Sequence, residues 1–154
     1  MSIKVTYNDS EIRTALDGLL SKMNDLTPAL RDMGEELMLS TKQRFAKSES
    51  PDGDAWAPNS PVTLARKKGT SPLIGESRRL RNEISYSVKN GELLIGSPMV
   101  YAAVQHFGAS RGQFGKNKRN SPIPWGNIPA RPFLGLSDTD KENVLDIIQE
   151  HLGL

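Results

Sequence analysis

With 154 residues, of which 36% are hydrophobic and none is cysteine, the chain has the size of one domain and excludes disulfides, thiolate metal sites and cysteine nucleophiles. Its apolar runs are far shorter than the ~20 residues that span a bilayer, and residues 1–7 lack the apolar core of a secretory signal, so we expect a cytoplasmic protein without a membrane partner. The net charge of +2 conceals a basic middle: residues 61–131 carry twelve basic and three acidic side chains, and both flanking segments are acidic.

The N-terminal third predicts a short strand followed by two helices. Ile3, Val5 and Tyr7 alternate with polar residues, which indicates a half-buried strand. Apolar residues then recur at helical spacing in two stretches with a break near residues 25–28, where Thr27 can cap the second helix and Pro28 suits its first turn. Leucine and methionine stripes of this kind are typical of core-facing helix surfaces: Ile12, Leu16, Leu19, Leu20 and Met23 on the first helix, and Leu30, Met33, Leu37, Met38 and Phe45 on the second.

A long loop is predicted over residues 48–75. Proline, glycine, serine and aspartate dominate it, and only residues 62–68 can form a short helix. Trp56 stands alone in this polar stretch. We predict that Trp56 is buried and anchors the loop, because burying ~150–250 Å² of aromatic surface offsets the entropy lost when the loop is ordered.

The second half of the chain begins with a predicted β-hairpin over residues 84–97. Its strand residues alternate between apolar and polar, and Asn90-Gly91 supplies the two positive φ angles of a type I′ turn. Residues 100–107 predict a short helix that ends at Gly108, and residues 109–130 predict a second loop.

The C-terminal segment predicts a short strand and a helix. Residues 131–134 are interpreted as a strand at a sheet edge, where proline is tolerated. Ser137 and Asp140 have the spacing of a capping box, and Gly153 ends the helix that follows. We therefore predict a single α+β domain over residues 1–154, with an antiparallel sheet built around the 84–97 hairpin, packed by N-terminal and C-terminal helices and joined by long Pro/Gly loops.

No motif for catalysis or for cofactor binding is evident. The two histidines, His106 and His151, have no second ligand at metal-binding spacing, and no phosphate-cradling glycine loop is present. We expect no cofactor, no metal and no enzymatic activity. The enzymatic alternative is a small hydrolase that uses His106, although no nucleophile motif supports it.

The basic middle suggests contacts with a polyanion. The candidates are Arg78, Arg79, Arg111, Lys116, Lys118 and Arg119. They face either DNA, as in a small basic nucleic-acid-binding module, or the acidic segments of a neighbouring copy. Aromatic platforms near them are few and no helix-turn-helix is predicted. We expect residues 110–120 to be mobile in the free protein and ordered on assembly, because Phe114 is their one large apolar side chain.

Five short motifs follow one another along the chain. Residues 50–58 contain Pro-Asp-Gly, Trp and Pro, Thr63 comes next, and residues 80–84, 95–97, 101–108 and 128–135 follow in order. This series resembles the phage virion-morphogenesis family, which includes tail-completion proteins of Mu-like and contractile-tailed phages. The resemblance implies an α+β fold, no enzymatic activity, and assembly at the tail end or head–tail junction as a ring, of about six copies. The chain departs from the family pattern at residues 75–79, where Thr-Gly is expected.

Candidate interface residues lie in the last two motifs and in residues 110–120, here called the basic loop. Tyr101, Gln105 and His106 recur on roughly one face of the short helix, and polar groups on apolar bodies suit interfaces. We expect assembly contacts there and at three further residues, which are Phe114, Arg131 and Phe133. The expected partners are further copies of the chain, other phage tail or neck proteins, and DNA bound without sequence preference. The protein is expected in the host cytoplasm during assembly and in the virion tail or neck afterwards.

Overall fold

A computed structural model describes residues 10–154, so the strand predicted over residues 3–7 lies outside the described part of the chain. The described residues form, in order, α1 (Ser10–Asn24), α2 (Thr27–Lys47), α3 (Pro61–Arg66), α4 (Arg79–Asn82), β1 (Ser85–Lys89), β2 (Glu92–Gly96), α5 (Ala102–Phe107) and α6 (Asp138–Leu152). Helices that flank a two-stranded antiparallel sheet make this the predicted α+β fold.

The long helix α2 is the central element of the fold. It contacts both strands of the hairpin, and it also packs against α4 and α6. The predicted break before α2 is confirmed, and Pro28 lies in the first turn of this helix. The side chain of Asp25, and not the expected Thr27, satisfies the first turn: its Oδ1 accepts a hydrogen bond from the Thr27 backbone N–H at 3.2 Å.

The predicted β-hairpin is present. Ser87 pairs with Leu94 at the centre of the ladder, and Tyr86 pairs with Ile95 beside them. Asn90 and Gly91 both have positive φ, at 52° and 73°, as the type I′ turn requires. The hairpin lies against α2, where Gly34 leaves room for the Tyr86 ring: a Cβ on Gly34 would lie 2.3 Å from a carbon of that ring.

The core lies between α2, the hairpin and the long loops. Its centre is a set of aromatic rings: Phe45 packs against Trp56 and against Phe133, each with 5.4 Å between ring centroids. Leu80, Ile84 and Ala102 complete the buried cluster. Because Trp56 and Phe133 belong to irregular segments, the loops form part of the core.

The apolar stripes of the first two helices have different surroundings. On α2, Leu37 and Phe45 are buried and the other stripe residues are partly buried, as predicted. On α1, Leu16, Leu20 and Met23 are each more than half exposed, so the expectation that this stripe faces the core is wrong for these residues. The reason is the position of α1, which packs against α6 and not against the hairpin.

No strand forms at residues 131–134, which corrects the predicted edge strand. Pro132 has no N–H to donate, and the backbone groups around it pair with side chains instead of a neighbouring strand. The Pro132 carbonyl oxygen accepts a hydrogen bond from Trp56 Nε1 at 2.7 Å. The Phe133 carbonyl oxygen accepts one from Arg44 Nη1 at 3.0 Å, and the Phe133 N–H points to His106 Nδ1 at 3.3 Å.

The second loop and the C-terminal helix follow the predictions more closely. Residues 109–128 form an irregular hairpin, in which Ala109 and Ile128 exchange two backbone hydrogen bonds. The capping box of α6 is confirmed: Ser137 Oγ accepts from the Asp140 N–H at 3.0 Å, and Asp140 Oδ2 accepts from the Ser137 N–H at 2.9 Å. Gly153 ends the helix in the left-handed conformation.

Candidate assembly surface

Arg131 joins three of the motifs that are far apart in sequence. Its Nε donates to the Ala57 carbonyl oxygen at 2.7 Å, and its Nη2 donates to the Pro58 carbonyl oxygen at 2.8 Å. Its backbone N–H donates to the Gln105 carbonyl oxygen at 3.0 Å. One side chain therefore fixes the first loop against the segment that follows the second loop.

Burial has different consequences for Arg131 and Phe133, which were both predicted as assembly contacts. Phe133 is 1% exposed, so its side chain is not available to another subunit, whereas Arg131 is 7% exposed and still lines the groove described below. Arg131 provides hydrogen-bond donors to carbonyl oxygens that have no partner in a strand or helix, and Phe133 fills the core beside Phe45. Both residues hold in place the backbone segments that carry the surface.

Gly108 permits the close approach of α5 and the segment after the second loop. Its φ is 74°, and a Cβ at this position would lie 2.6 Å from the Ile128 carbonyl oxygen. A side chain at this position would therefore force residues 128–130 away from α5.

His106 packs against the core and pairs with the backbone. Its ring packs edge-on against Phe133, with 5.2 Å between centroids, and its Nδ1 accepts from the Phe133 backbone N–H. Burial holds the pKa of His106 below its usual value. The Nδ1 atom of His106 thus faces a backbone N–H and not a carboxylate that would orient a catalytic histidine, which favours the interpretation of His106 as a packing residue. A subunit contact at its exposed side stays a prediction.

A groove of about 970 Å³ lies between α3, the segment before α4, α5 and the segment after the second loop. Four predicted site residues line it, which are Arg79, Tyr101, Gln105 and Arg131. The structure adds residues that the sequence did not single out: Arg66 and Lys67 at the end of α3, and Trp125, which is 73% exposed. No acidic residue lines the groove.

The basic loop carries the other predicted contacts; none of its cations lines the groove, although residues 124–128 of the same irregular hairpin do. Arg111, Lys116, Lys118 and Arg119 are exposed on the irregular hairpin, together with Phe114. Arg78 is exposed at the start of α4 with a φ of 52°. The predicted polyanion contacts therefore fall on more than one surface.

A buried ion pair between Arg44 and Asp140 was not predicted from the sequence. Arg44 Nη2 donates to Asp140 Oδ2, and Ser40 Oγ donates to Asp140 Oδ1. Burial acts to raise the pKa of Asp140, but hydrogen bonds from Ser40 and Ser137 and the charge of Arg44 outweigh it, so the pKa lies below its usual value. The available signal was Arg44, a cation seven residues after the buried Leu37 and hence on the same helix face.

Metal sites and membrane-spanning helices are both absent from the described part of the chain. Between residues 10 and 154, no group of His, Asp or Glu side chains is arranged to hold a metal ion. No helix in the same range combines the length and the hydropathy needed to cross a bilayer.

Comparison with known proteins identifies relatives over almost the whole chain. The profile of the phage virion morphogenesis family matches residues 7–153. The chain is 29% identical over 158 residues to the putative capsid assembly protein G of Escherichia phage Mu, covering 99% of this chain and 96% of the relative. It is 29% identical over 147 residues to the Mu-like prophage FluMu G protein 2 of Haemophilus influenzae, with 96% and 93% covered. It is 27% identical over 154 residues to the tail completion protein S of Escherichia phage P2, with 93% and 98% covered. No solved structure matches the chain.

Proposed function

The chain belongs to the phage virion morphogenesis family, and from this we propose that it completes the tail or the head–tail junction of a tailed phage or prophage as a ring of identical copies. The observation that carries the proposal is the family match over residues 7–153. The Mu relative is named for capsid assembly and the P2 relative for tail completion. A component at the junction between head and tail accounts for both names.

The exposed surface supports self-association. Large apolar side chains such as Val100, Phe107 and Trp125 are mostly exposed in the single chain. Contact with another copy would remove this apolar surface from water. The protein acts without catalysis, in the host cytoplasm while particles assemble and in the tail or neck of the finished virion.

The test of this function is genetic and structural. Deletion of the gene should yield free heads, or particles with incomplete tails, in electron micrographs of the lysate. A plasmid copy should restore complete particles, and a His106→Ala copy that folds normally should restore them as well. Mass spectrometry of purified particles should detect the chain. Complete, infectious particles from the deletion strain, or particles that lack the chain, would contradict the proposal.

DNA binding is a second candidate function, and the exposed basic loop favours it. Arg111, Lys116, Lys118 and Arg119 have no acidic partner within residues 10–154. Counterion release would make such binding strongly salt-dependent. A DNA mobility shift at low salt that is lost in a Lys116→Glu/Lys118→Glu variant would support this role. An unchanged shift in that variant would exclude the loop as the contact.

A further inference from the structure

The outer face of α6 is acidic and has no cationic partner within the described residues. Glu142, Asp146 and Glu150 recur at a spacing of four residues, and all three are exposed. Leu145 lies beside them and is 57% exposed. The one described ion pair within α6 is between Lys141 and Asp138. Like charges at this spacing repel one another along the helix, so a cationic partner would relieve a repulsion that the isolated chain carries.

The groove has the opposite character. Arg66, Lys67 and Arg79 line it without any acidic neighbour in the lining. Burial, and then the charge of Arg131, lower the pKa of Lys67, so a second cation lies close enough to act on it. Val62 and Trp125 add exposed apolar surface to the same walls. The groove therefore suits a partner that carries several carboxylates around an apolar side chain.

We propose that the groove of one copy binds the acidic outer face of α6 from a second copy. The three carboxylates of α6 face Arg66, Lys67 and Arg79, and Leu145 packs between Val62 and Trp125. This inference rests on the proposed function, because it specifies how the copies of the ring contact one another. Charge complementarity is the argument for this occupant: the basic middle of the chain and its acidic C-terminal segment bear opposite charges on separate surfaces.

The geometry allows every copy to use both surfaces at once. No residue of α6 lines the groove of its own chain. A contact between two different surfaces is heterologous, and its repetition gives a ring where the rotation from one copy to the next closes. A tryptophan and a tyrosine at the rim, Trp125 and Tyr101, are residue types enriched at protein interfaces.

The experiment is a charge swap followed by light scattering. Arg66→Glu/Arg79→Glu reverses the groove, and Glu142→Lys/Asp146→Lys reverses the helix face. Each double variant should lower the measured mass to that of the monomer, with at least a tenfold weaker self-association. All four substitutions in one chain should restore the mass of the wild type. Mixing the two double variants should also restore it, because each reversed surface then meets its complement.

The controls separate charge pairing from misfolding and from DNA binding. Lys116→Glu/Lys118→Glu changes exposed cations outside the groove and should leave the mass unchanged. Rescue by the four-substitution chain shows that the double variants fold. An unchanged mass in either double variant, no rescue by the swap, or a wild type that is monomeric at every concentration overturns the inference. Loss of DNA binding with an unchanged mass in the groove variant assigns the groove to nucleic acid and also overturns it. The particle experiment decides the proposed function independently of these results.

Discussion

Several side chains in this protein donate hydrogen bonds to backbone carbonyl oxygens, as a neighbouring strand does in a larger sheet. Trp56, Arg131 and Arg44 donate hydrogen bonds to carbonyl oxygens of irregular segments in or near the core. A buried carbonyl group without a partner costs ~1–3 kcal/mol. These contacts explain how two long loops can contribute to a hydrophobic core.

The two tryptophans should report opposite environments. Trp56 is 6% exposed and Trp125 is 73% exposed. Trp125→Phe should therefore leave a blue-shifted emission that iodide quenches poorly, and Trp56→Phe should leave a red-shifted emission that iodide quenches readily. Emission spectra of both variants test this. A red-shifted, easily quenched spectrum from Trp125→Phe would contradict the buried position of Trp56.

Removal of one partner from the Arg44–Asp140 pair should be costly. Arg44→Met leaves the Asp140 carboxylate buried without its cation, and we expect a loss of ~3–5 kcal/mol in the free energy of unfolding. Adding Asp140→Asn to that variant should recover part of the loss, because it removes the buried charge. Urea denaturation measures both values. Lys141→Ala in the exposed pair with Asp138 is the control and should cost less than ~1 kcal/mol. Equal losses in the two single variants would contradict the assigned role of the buried pair.

His106 should make the stability depend on pH. Burial lowers its pKa in the folded chain, so the unfolded chain binds the proton more readily. Stability is therefore retained above the unfolded pKa of ~6.5 and lost as the pH falls below it. Thermal unfolding between pH 7.5 and 5.5 should show a larger fall in Tm for the wild type than for His106→Asn, whose amide oxygen accepts the same backbone hydrogen bond without titrating. Parallel falls in Tm would refute the contribution of His106.

Among the elements, the helices differ in the number of neighbouring elements that they pack against. The helix α2 is fixed on several sides, by the hairpin, by α4 and by α6. In contrast, α1 has α6 as its principal contact and leaves Leu16, Leu20 and Met23 largely in solvent. A single apolar pattern thus leads to burial in one helix and to exposure in the next, depending on the neighbours that the fold provides.

The basic loop combines hydrogen-bonded structure with a lack of buried side chains. The Phe114 N–H donates to the Ile123 carbonyl oxygen at 2.8 Å, and the Ile123 N–H donates to the Gly115 carbonyl oxygen at 2.8 Å. The basic side chains of this loop are exposed. Its mobility in the free protein stays a prediction.

Limited proteolysis tests the mobility of this loop. Trypsin should cut the free protein first after Arg111, Lys116, Lys118 or Arg119, because few buried side chains hold these residues in place. The same sites should be protected in the assembled particle. Equal cleavage rates in the free protein and in the particle would show that assembly does not order the loop, and first cleavage elsewhere would show that the loop is not the most mobile segment.

For the molecule as a whole, the uneven charge along the sequence becomes a separation of surfaces. The basic groove lies beside α3 and α5, and the acidic residues of the C-terminal segment lie on the outer face of α6. The small net charge of +2 means that identical copies can associate without strong overall repulsion.

The proposed ring should therefore be weakened by salt. The screening length falls from ~10 Å at 0.1 M salt to ~3 Å at 1 M. Sedimentation velocity at increasing sodium chloride should show a shift from the assembled species to smaller ones. The chain with all four charge-swap substitutions should show the same salt dependence. An assembled species that is unaffected or favoured by salt would indicate that apolar contacts, and not charge pairs, hold the copies together.

The sequence by itself determined the features that depend on residues close together in the chain. The capping box of Ser137 and Asp140, the turn at Asn90-Gly91, the break before α2 and the end of α5 at Gly108 all follow from interactions over a few residues. The order of the short motifs between residues 50 and 135 also indicated the family. Burial of Trp56 was predicted and is confirmed, but Trp125 lies in the other loop and is 73% exposed, so the residue type alone did not decide burial.

Tertiary structure alone decided the contacts between distant residues. Arg44 and Asp140 are 96 residues apart, and Arg131 reaches the Ala57 carbonyl oxygen across 74 residues. No local pattern specifies such partners, because a buried cation can be satisfied by a carboxylate or by carbonyl oxygens, and only the packing of α2 against α6 and of the two loops selects between them. For the same reason, packing turned Arg131 and Phe133 inward, left Leu16, Leu20 and Met23 of α1 exposed, and brought Arg66, Arg79 and Trp125 together in one groove.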